Sequence, residues 1–205
     1  MQARANLLRA VRLVLDATKT EAFYRRALRS AVRELYRGGD AGEFVDTLAA
    51  LIEEQFRRAW NEGARDVGFT GEMTDEDLLP LIERMAAEQE HMYAFADAIE
   101  KAGREGTPIA ALYERADMWA SRYNEIRDWA RVHFGGKKRY KWVVGPTEHC
   151  EDCQALNGTV ASGEAWEEAR GRGIYPQSRD LDCGGWRCQC ELRPTDDPVT
   201  GEIPV

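Results

Sequence analysis

Apolar residues recur at helical spacing over the first 134 positions of this 205-residue chain. Leu7, Val11, Val14 and Leu15 open an amphipathic pattern, and Thr18-Lys-Thr-Glu21 has the form of a capping box, which allows a break there. Gly38-Gly39 stops that segment. Asp40-Ala-Gly-Glu43 predicts a fresh helix start, with Phe44, Leu48, Leu51, Ile52 and Phe56 on one face, running to about Gly68. Thr74 with Asp77 predicts the cap of a third helix, whose seam reads Leu78, Ile82, Met85, Gln89, Met92, Ala96 and Ile99. A fourth seam reads Ile109, Leu112, Ala116, Trp119, Tyr123, Ile126, Ala130 and His133. Between the two lies Gly103-Arg-Glu-Gly106, then Thr107-Pro108, an N-cap followed by proline at the first helical position. A short loop between two long helices makes them antiparallel neighbours, each about 40 Å long at about 1.5 Å per residue.

Gly135-Gly136 ends the helical texture. Beyond it, Lys141-Trp-Val-Val-Gly145 and Gly158-Thr-Val-Ala161 read as short strands, residues 164–170 as a helical turn carrying Trp166, and Gln189-Cys-Glu-Leu-Arg193 as a closing strand. Prolines 194, 198 and 204 give an extended tail. The pattern predicts a mainly α protein. An elongated helical docking region with an antiparallel helical hairpin spans residues 1–134, and a small α+β zinc-binding module spans residues 135–205. Phe44-Val45 and Phe69 fall outside the two seams and are expected to need partners beyond this chain.

Charge refines the picture. The formal net charge is −8, which argues against wholesale coating of nucleic acid. Residues 1–37 carry 9 basic and 3 acidic side chains, whereas residues 38–134 carry 10 and 21. The basic opening can pair with the acidic helices behind it, or meet an acidic partner surface or phosphates. No apolar run approaches the ~20 residues of a membrane span, so no membrane role is expected. Met1-Gln-Ala-Arg-Ala leads straight into a charged segment and does not read as a secretory leader.

Cysteine placement carries the chemistry. All five thiols lie in the last 56 residues, as Cys150-x2-Cys153, 29 intervening residues, then Cys183-x4-Cys188-x-Cys190. That spacing suits tetrahedral Zn²⁺ better than disulfides, whose pairing would strand one of five. Some 70 residues with few large apolar side chains bury little core, and structural zinc supplies on the order of 10 kcal/mol in small peptides. Cys150 and Cys153 plus two of Cys183, Cys188 and Cys190 are the expected ligands, with residues 188 and 190 facing one way along a strand. His149 reads as a loop residue, a second donor or a further ligand. Glu151 and Asp152 read as solvated charges, and His133 as a packing or helix-end residue. Thiolates in surplus imply a closed, inert centre. The sequence holds no glycine-rich phosphate loop, nucleophile elbow or paired-histidine helix motif.

The run Trp142…His149-Cys150-Glu-Asp-Cys153-Gln-Ala-Leu156-Asn-Gly158, then Trp166, Tyr175-Pro176 and Leu181-Asp-Cys183-Gly-Gly-Trp-Arg-Cys188-Gln-Cys190 resembles the tailed-phage head morphogenesis family, the Mu F-like minor head proteins. Leu156 and Gly158 match that family's Leu-x-Gly, and Cys188 and Cys190 its terminal Cys-Arg-Cys with Gln189 in place of arginine. Cys150 and Cys153 stand where the family has arginine and histidine, so the resemblance is to a thiol-rich branch. It covers residues 140–193. It implies a structural, non-catalytic minor capsid protein of the virion, oligomeric there. The implied partners are the portal and the major capsid protein, with possible contact with packaged DNA. Two other classes fit the residues: a zinc-dependent nucleic-acid-binding protein, through the basic run 137–141, and a metallohydrolase or nuclease, which needs an open metal position.

Overall fold

A computed structural model describes residues 20–146, 148–185 and 188–204. Among the described residues, four long helices come first: α1 (Glu21–Tyr36), α2 (Ala41–Asp66), α3 (Asp75–Glu105) and α4 (Ala110–Gly135). The rest comprises β1 (Arg139–Val143), α5 (Glu151–Leu156), β2 (Val160–Ser162), α6 (Gly163–Gly171) and β3 (Glu191–Pro194). The protein is mainly helical, with a small α+β module near its C-terminal end. The amphipathic run over residues 7–15 and Thr18 of the expected capping box lie outside the described residues. The N-cap of α1 is Thr20, which makes no side-chain capping bond.

Two of the predicted caps form, at Asp40 and Thr74, whereas α4 opens at Ala110 and not with Thr107 as its cap and Pro108 as its first residue. Asp40 Oδ1 accepts from Glu43 N at 2.8 Å. Thr74 and Asp77 close a reciprocal box, with Thr74 N donating to Asp77 Oδ2 at 2.7 Å and Asp77 N to Thr74 Oγ1 at 3.2 Å. Helix α2 stops at Asp66, where Gly68 takes a φ of +83° and Phe69 N returns to Ala64 O at 3.0 Å.

The chain divides into two compact units, and the division falls within α2, α3 and α4. One unit holds the described residues up to Gln55 together with Ile82–Ser121. Its core takes Tyr24, Leu28, Val32 and Leu35 from α1, Phe44, Leu48 and Ile52 from α2, and Met92, Phe95 and Ile99 from α3. Helices α3 and α4 form the expected antiparallel hairpin here, with the Trp119 indole N–H donating to Glu88 Oε2 at 2.8 Å. Gln55 Nε2 donates to the Trp119 and Ala120 carbonyls at 2.7 and 3.0 Å, so the amide nitrogen of this buried side chain is partnered.

Two sequence expectations are corrected in this unit. The seam of α3 includes Glu88 and Phe95, whereas Ile82 (49 % exposed) and Gln89 face solvent. A buried carboxylate sits at a seam position because Arg84 (2.9 Å) and the Trp119 indole satisfy it, which periodicity of apolar residues does not register. Phe44 and Val45 are buried within the chain, Phe44 edge-on to Phe95 with ring centroids 5.9 Å apart, and so need no external partner.

The second unit holds Phe56–Leu81 and the described residues from Arg122 onward. Phe69 belongs here and stacks on Phe134 at 4.5 Å, again inside the chain. The cysteine module is therefore not built from residues after 135 alone. Its core joins Val67 of the loop after α2 and Val132 of α4 to Tyr140, Trp142, Leu156, Trp166 and Leu192. Gly63 lets α2 and α4 touch: a Cβ there would lie 2.2 Å from Arg127 O. Three antiparallel strands run in the order β2-β1-β3, with Tyr140 opposite Ala161 and Trp142 opposite Leu192. The buried rings of Trp142 and Trp166 lie 5.8 Å apart, and the Trp166 indole N–H donates to Tyr140 O at 3.0 Å. Among the described residues, no helix is long and apolar enough to cross a membrane.

Candidate metal centre

Each cysteine reaches the centre from a different local structure. Cys150 is the N-cap of α5, its Sγ accepting from Cys153 N at 3.5 Å. Cys153 sits one turn into that helix. Cys183 lies in a turn made possible by Gly184 and Gly185, with φ of +58° and +71°. A Cβ on Gly185 would also lie 2.3 Å from Gln177 O, so the turn admits no larger residue. Cys188 and Cys190 precede β3 rather than lying in it, contrary to the strand expected over residues 189–193, yet both reach the cluster. Asp152 Oδ2 accepts from Asp182 N at 2.8 Å and so ties α5 to the Cys183 turn, a positioning contact rather than the free charge expected of it.

All five thiols converge. Cys150, Cys153 and Cys183 form one trio and Cys153, Cys188 and Cys190 another, with the sulfurs of each trio within 4.8 Å of one another. A tetrahedral ion with bonds of about 2.3 Å needs its sulfurs about 3.8 Å apart, so the separations are close to what ligation requires. Both trios therefore can hold a metal ion. All five cysteines are free thiols, and Cys153 and Cys190 are buried.

Backbone N–H groups converge on the sulfurs as well. Those of Cys153 and Cys183 serve Cys150, that of Gly185 serves Cys183, that of Gly145 serves Cys190, and those of Cys190 and Gln177 serve Cys188. N–H donors stabilise thiolate over thiol, the form that binds metal. Gln177 does this from a left-handed φ of 66°, uncommon for a residue with a side chain. Without a cation the thiols share charge unevenly. Cys188 is held far below the ordinary thiol range by hydrogen bonds from Cys153 and Cys190. The hydrogen bond to Cys188, then that to Cys190 and burial push Cys153 up. Burial, ahead of Cys150 and Cys188 beside it, takes Cys183 to about 11.

His149 is the residue that sequence reasoning placed least well. Its Nε2 meets Gly145 O at 2.8 Å, and its Nδ1 faces Cys190 Sγ at 3.9 Å. A carbonyl can only accept, so Nε2 carries a proton, and in the neutral ring the Nδ1 lone pair then faces the sulfur. The sequence signal was adjacency to Cys150, but the direction of the ring depends on the chain's return at Gly145. His133, far along the sequence, takes the packing role expected: it lies between Asp77 (3.5 Å) and Glu167 (3.0 Å) and packs on Trp60 at 5.3 Å. His91 is exposed and does not join the cluster.

The basic run after α4 is partly engaged: Lys138 Nζ donates to Val67 O, and Lys141 pairs with Asp197 at 3.0 Å. No protein-family model, curated protein or solved structure matches the chain.

Proposed function

We propose that the thiol cluster is a structural zinc centre, and that the protein is a minor head component of a tailed-phage particle, acting in head assembly or at the portal with no turnover of its own. The observation that carries the metal reading is the convergence of five sulfurs, each trio within 4.8 Å, under peptide N–H donors. Zinc suits this set because soft thiolates at tetrahedral spacing favour it over harder divalent ions. Held this way, it would link α5, the Cys183 turn and the approach to β3, three segments otherwise joined by loops.

The head-assembly reading rests on the residues that resemble the family. Trp142, Leu156, Gly158 and Trp166 are the landmarks, and in this fold they support one another. Gly158 N donates to Trp142 O at 2.9 Å, and Leu156 shares the core of Trp142 and Trp166. Portal or major capsid subunits are the proposed partners, with the virion as the setting. Solvent-facing Ile82 and Tyr93 of α3 offer apolar surface for such contacts. Engagement of Lys138 and Lys141 within the chain weighs against the nucleic-acid-binding alternative.

Two measurements test the reading. Elemental analysis of protein purified without added metal should find at least one zinc per chain, and stoichiometric disulfides with no zinc would end the metal reading. Mass spectrometry of purified particles should find this chain with the portal or capsid proteins. Particles that assemble, package DNA and infect normally without it would end the assembly reading.

A further inference from the structure

The arrangement of the sulfurs says more than their number. A tetrahedral ion takes four donors, and this cluster has five thiols plus an imidazole. They gather as two trios that share Cys153, at the centre of the set. The Cys153-Cys188-Cys190 trio has a fourth donor at hand. His149 Nδ1 lies 3.9 Å from Cys190 Sγ, where about 3.6 Å is the spacing of nitrogen and sulfur on one tetrahedral zinc. Its other nitrogen is tied to the Gly145 carbonyl, the kind of outer contact that orients a ligating histidine. His149 stands outside the 4.8 Å grouping of that trio, so a Cys3His set needs the ring to close on Cys153 and Cys188 as the ion binds. Cys150 and Cys183 are then left over as a close pair beside the same Cys153, both half-exposed, whereas Cys153 and Cys190 are buried.

Resting on the zinc reading above, we infer that the cluster binds two thiophilic divalent ions, one by Cys153, Cys188, Cys190 and His149 and one by Cys150, Cys153 and Cys183, with the Cys153 thiolate bridging them. Charge permits this loading: five thiolates and two divalent ions leave a net charge of about −1, the same as three thiolates and a neutral imidazole on a single ion. Each thiol gives up its proton to solvent as it ligates.

The test uses the full chain, reduced, metal-free and free of oxygen, titrated with Cd²⁺ or Co²⁺ and counted by native mass spectrometry. Two ions should bind the wild type. Cys183→Ser should hold one. His149→Ala should shift the cobalt d–d absorption, because a nitrogen ligand is lost. Cys153→Ser should weaken both sites at least tenfold. Saturation of the wild type at one ion, unchanged in Cys183→Ser, overturns the two-ion inference and leaves a single zinc centre standing. Two ions bound by Cys153→Ser with wild-type affinity overturn the shared thiolate. No ion bound by the wild type overturns the zinc reading itself. The wild-type count stands even if a variant fails to fold.

Discussion

Replacing Cys153 with serine changes one atom and should unfold half the protein. The substitution is nearly isosteric, and loss of a hydrogen-bonded thiol alone costs about 1 kcal/mol. Yet Cys153 belongs to both thiol trios, so the change removes a donor that any metal position in the cluster uses. Structural zinc contributes on the order of 10 kcal/mol, against a whole-domain stability of about 5–15 kcal/mol. The second unit should therefore lose its margin. How far the damage spreads follows from the core. Val67 and Val132 pack with Trp142, Trp166 and Cys153, so the unfolding should not stop at residue 139. Hydrogen exchange read by mass spectrometry should show lost protection in β1, β3, α5 and α6, and in α2 from residue 56 and α4 from residue 122. Amides of α1 and of residues 82–105 should keep theirs, because their core is Tyr24, Leu28, Phe44, Phe95 and Ile99. Unchanged protection at Trp142, whose N–H bonds Thr159 O at 2.9 Å, would refute the claim that metal ligation supports the sheet. Equal loss in α1 would refute the independence of the first unit.

Other outcomes follow from particular contacts. Gly63→Ala drives a methyl to 2.2 Å from Arg127 O and 2.7 Å from Ala130 Cβ, and should cost roughly 1–3 kcal/mol, seen as a lower Tm with the metal count unchanged. His133 has its pKa raised, first by its hydrogen bond to Glu167 and then by Asp77, so its contribution is full below about pH 6.5 and fades as pH rises through the raised value. Urea titrations should show His133→Gln less stable than wild type at pH 5.5, with the gap closing as pH rises above 6.5. Burial takes the Asp128 carboxyl from 3.8 to about 7, ahead of the opposing pull of Arg131, so the fold holds this proton and loses stability as pH climbs from about 4 to about 7. Asp128→Asn should flatten that decline, gaining on the wild type by at most ~4 kcal/mol between those limits.

Local signals in the sequence were legible wherever the cause was local. The caps at Asp40 and Thr74, the stop at Gly38-Gly39 and the hairpin of α3 and α4 each follow from residues a turn apart. So did convergence of the thiols, because metal-ligand spacing is a covalent constraint. What escaped was set by partners far along the chain. Glu88 is buried through Trp119, thirty-one residues away, so an apolar template put Ile82 and Gln89 in its row instead. Phe44 and Phe69 looked unpartnered only because Phe95 and Phe134 cannot be assigned to them by periodicity. The orientation of His149 depends on a carbonyl four residues back, and the shared core at Val67 and Val132 on tertiary packing that no window of residues contains.

The discontinuous make-up of the two units sets an order of events during synthesis. The first unit has all its segments once residue 121 has left the ribosome, but residues 56–81 belong with residues that come only after it. Val67 must wait for its core partners Trp142, Trp166 and Leu192, the last of them 71 residues after Ser121, which at about 5–20 residues per second means roughly 4–14 s. A nascent chain in that interval presents greasy surface to chaperones, and the thiols at 183–190 emerge only near the end of the wait. On the proposed zinc reading, metal supply would then gate the yield of finished protein rather than its rate of translation.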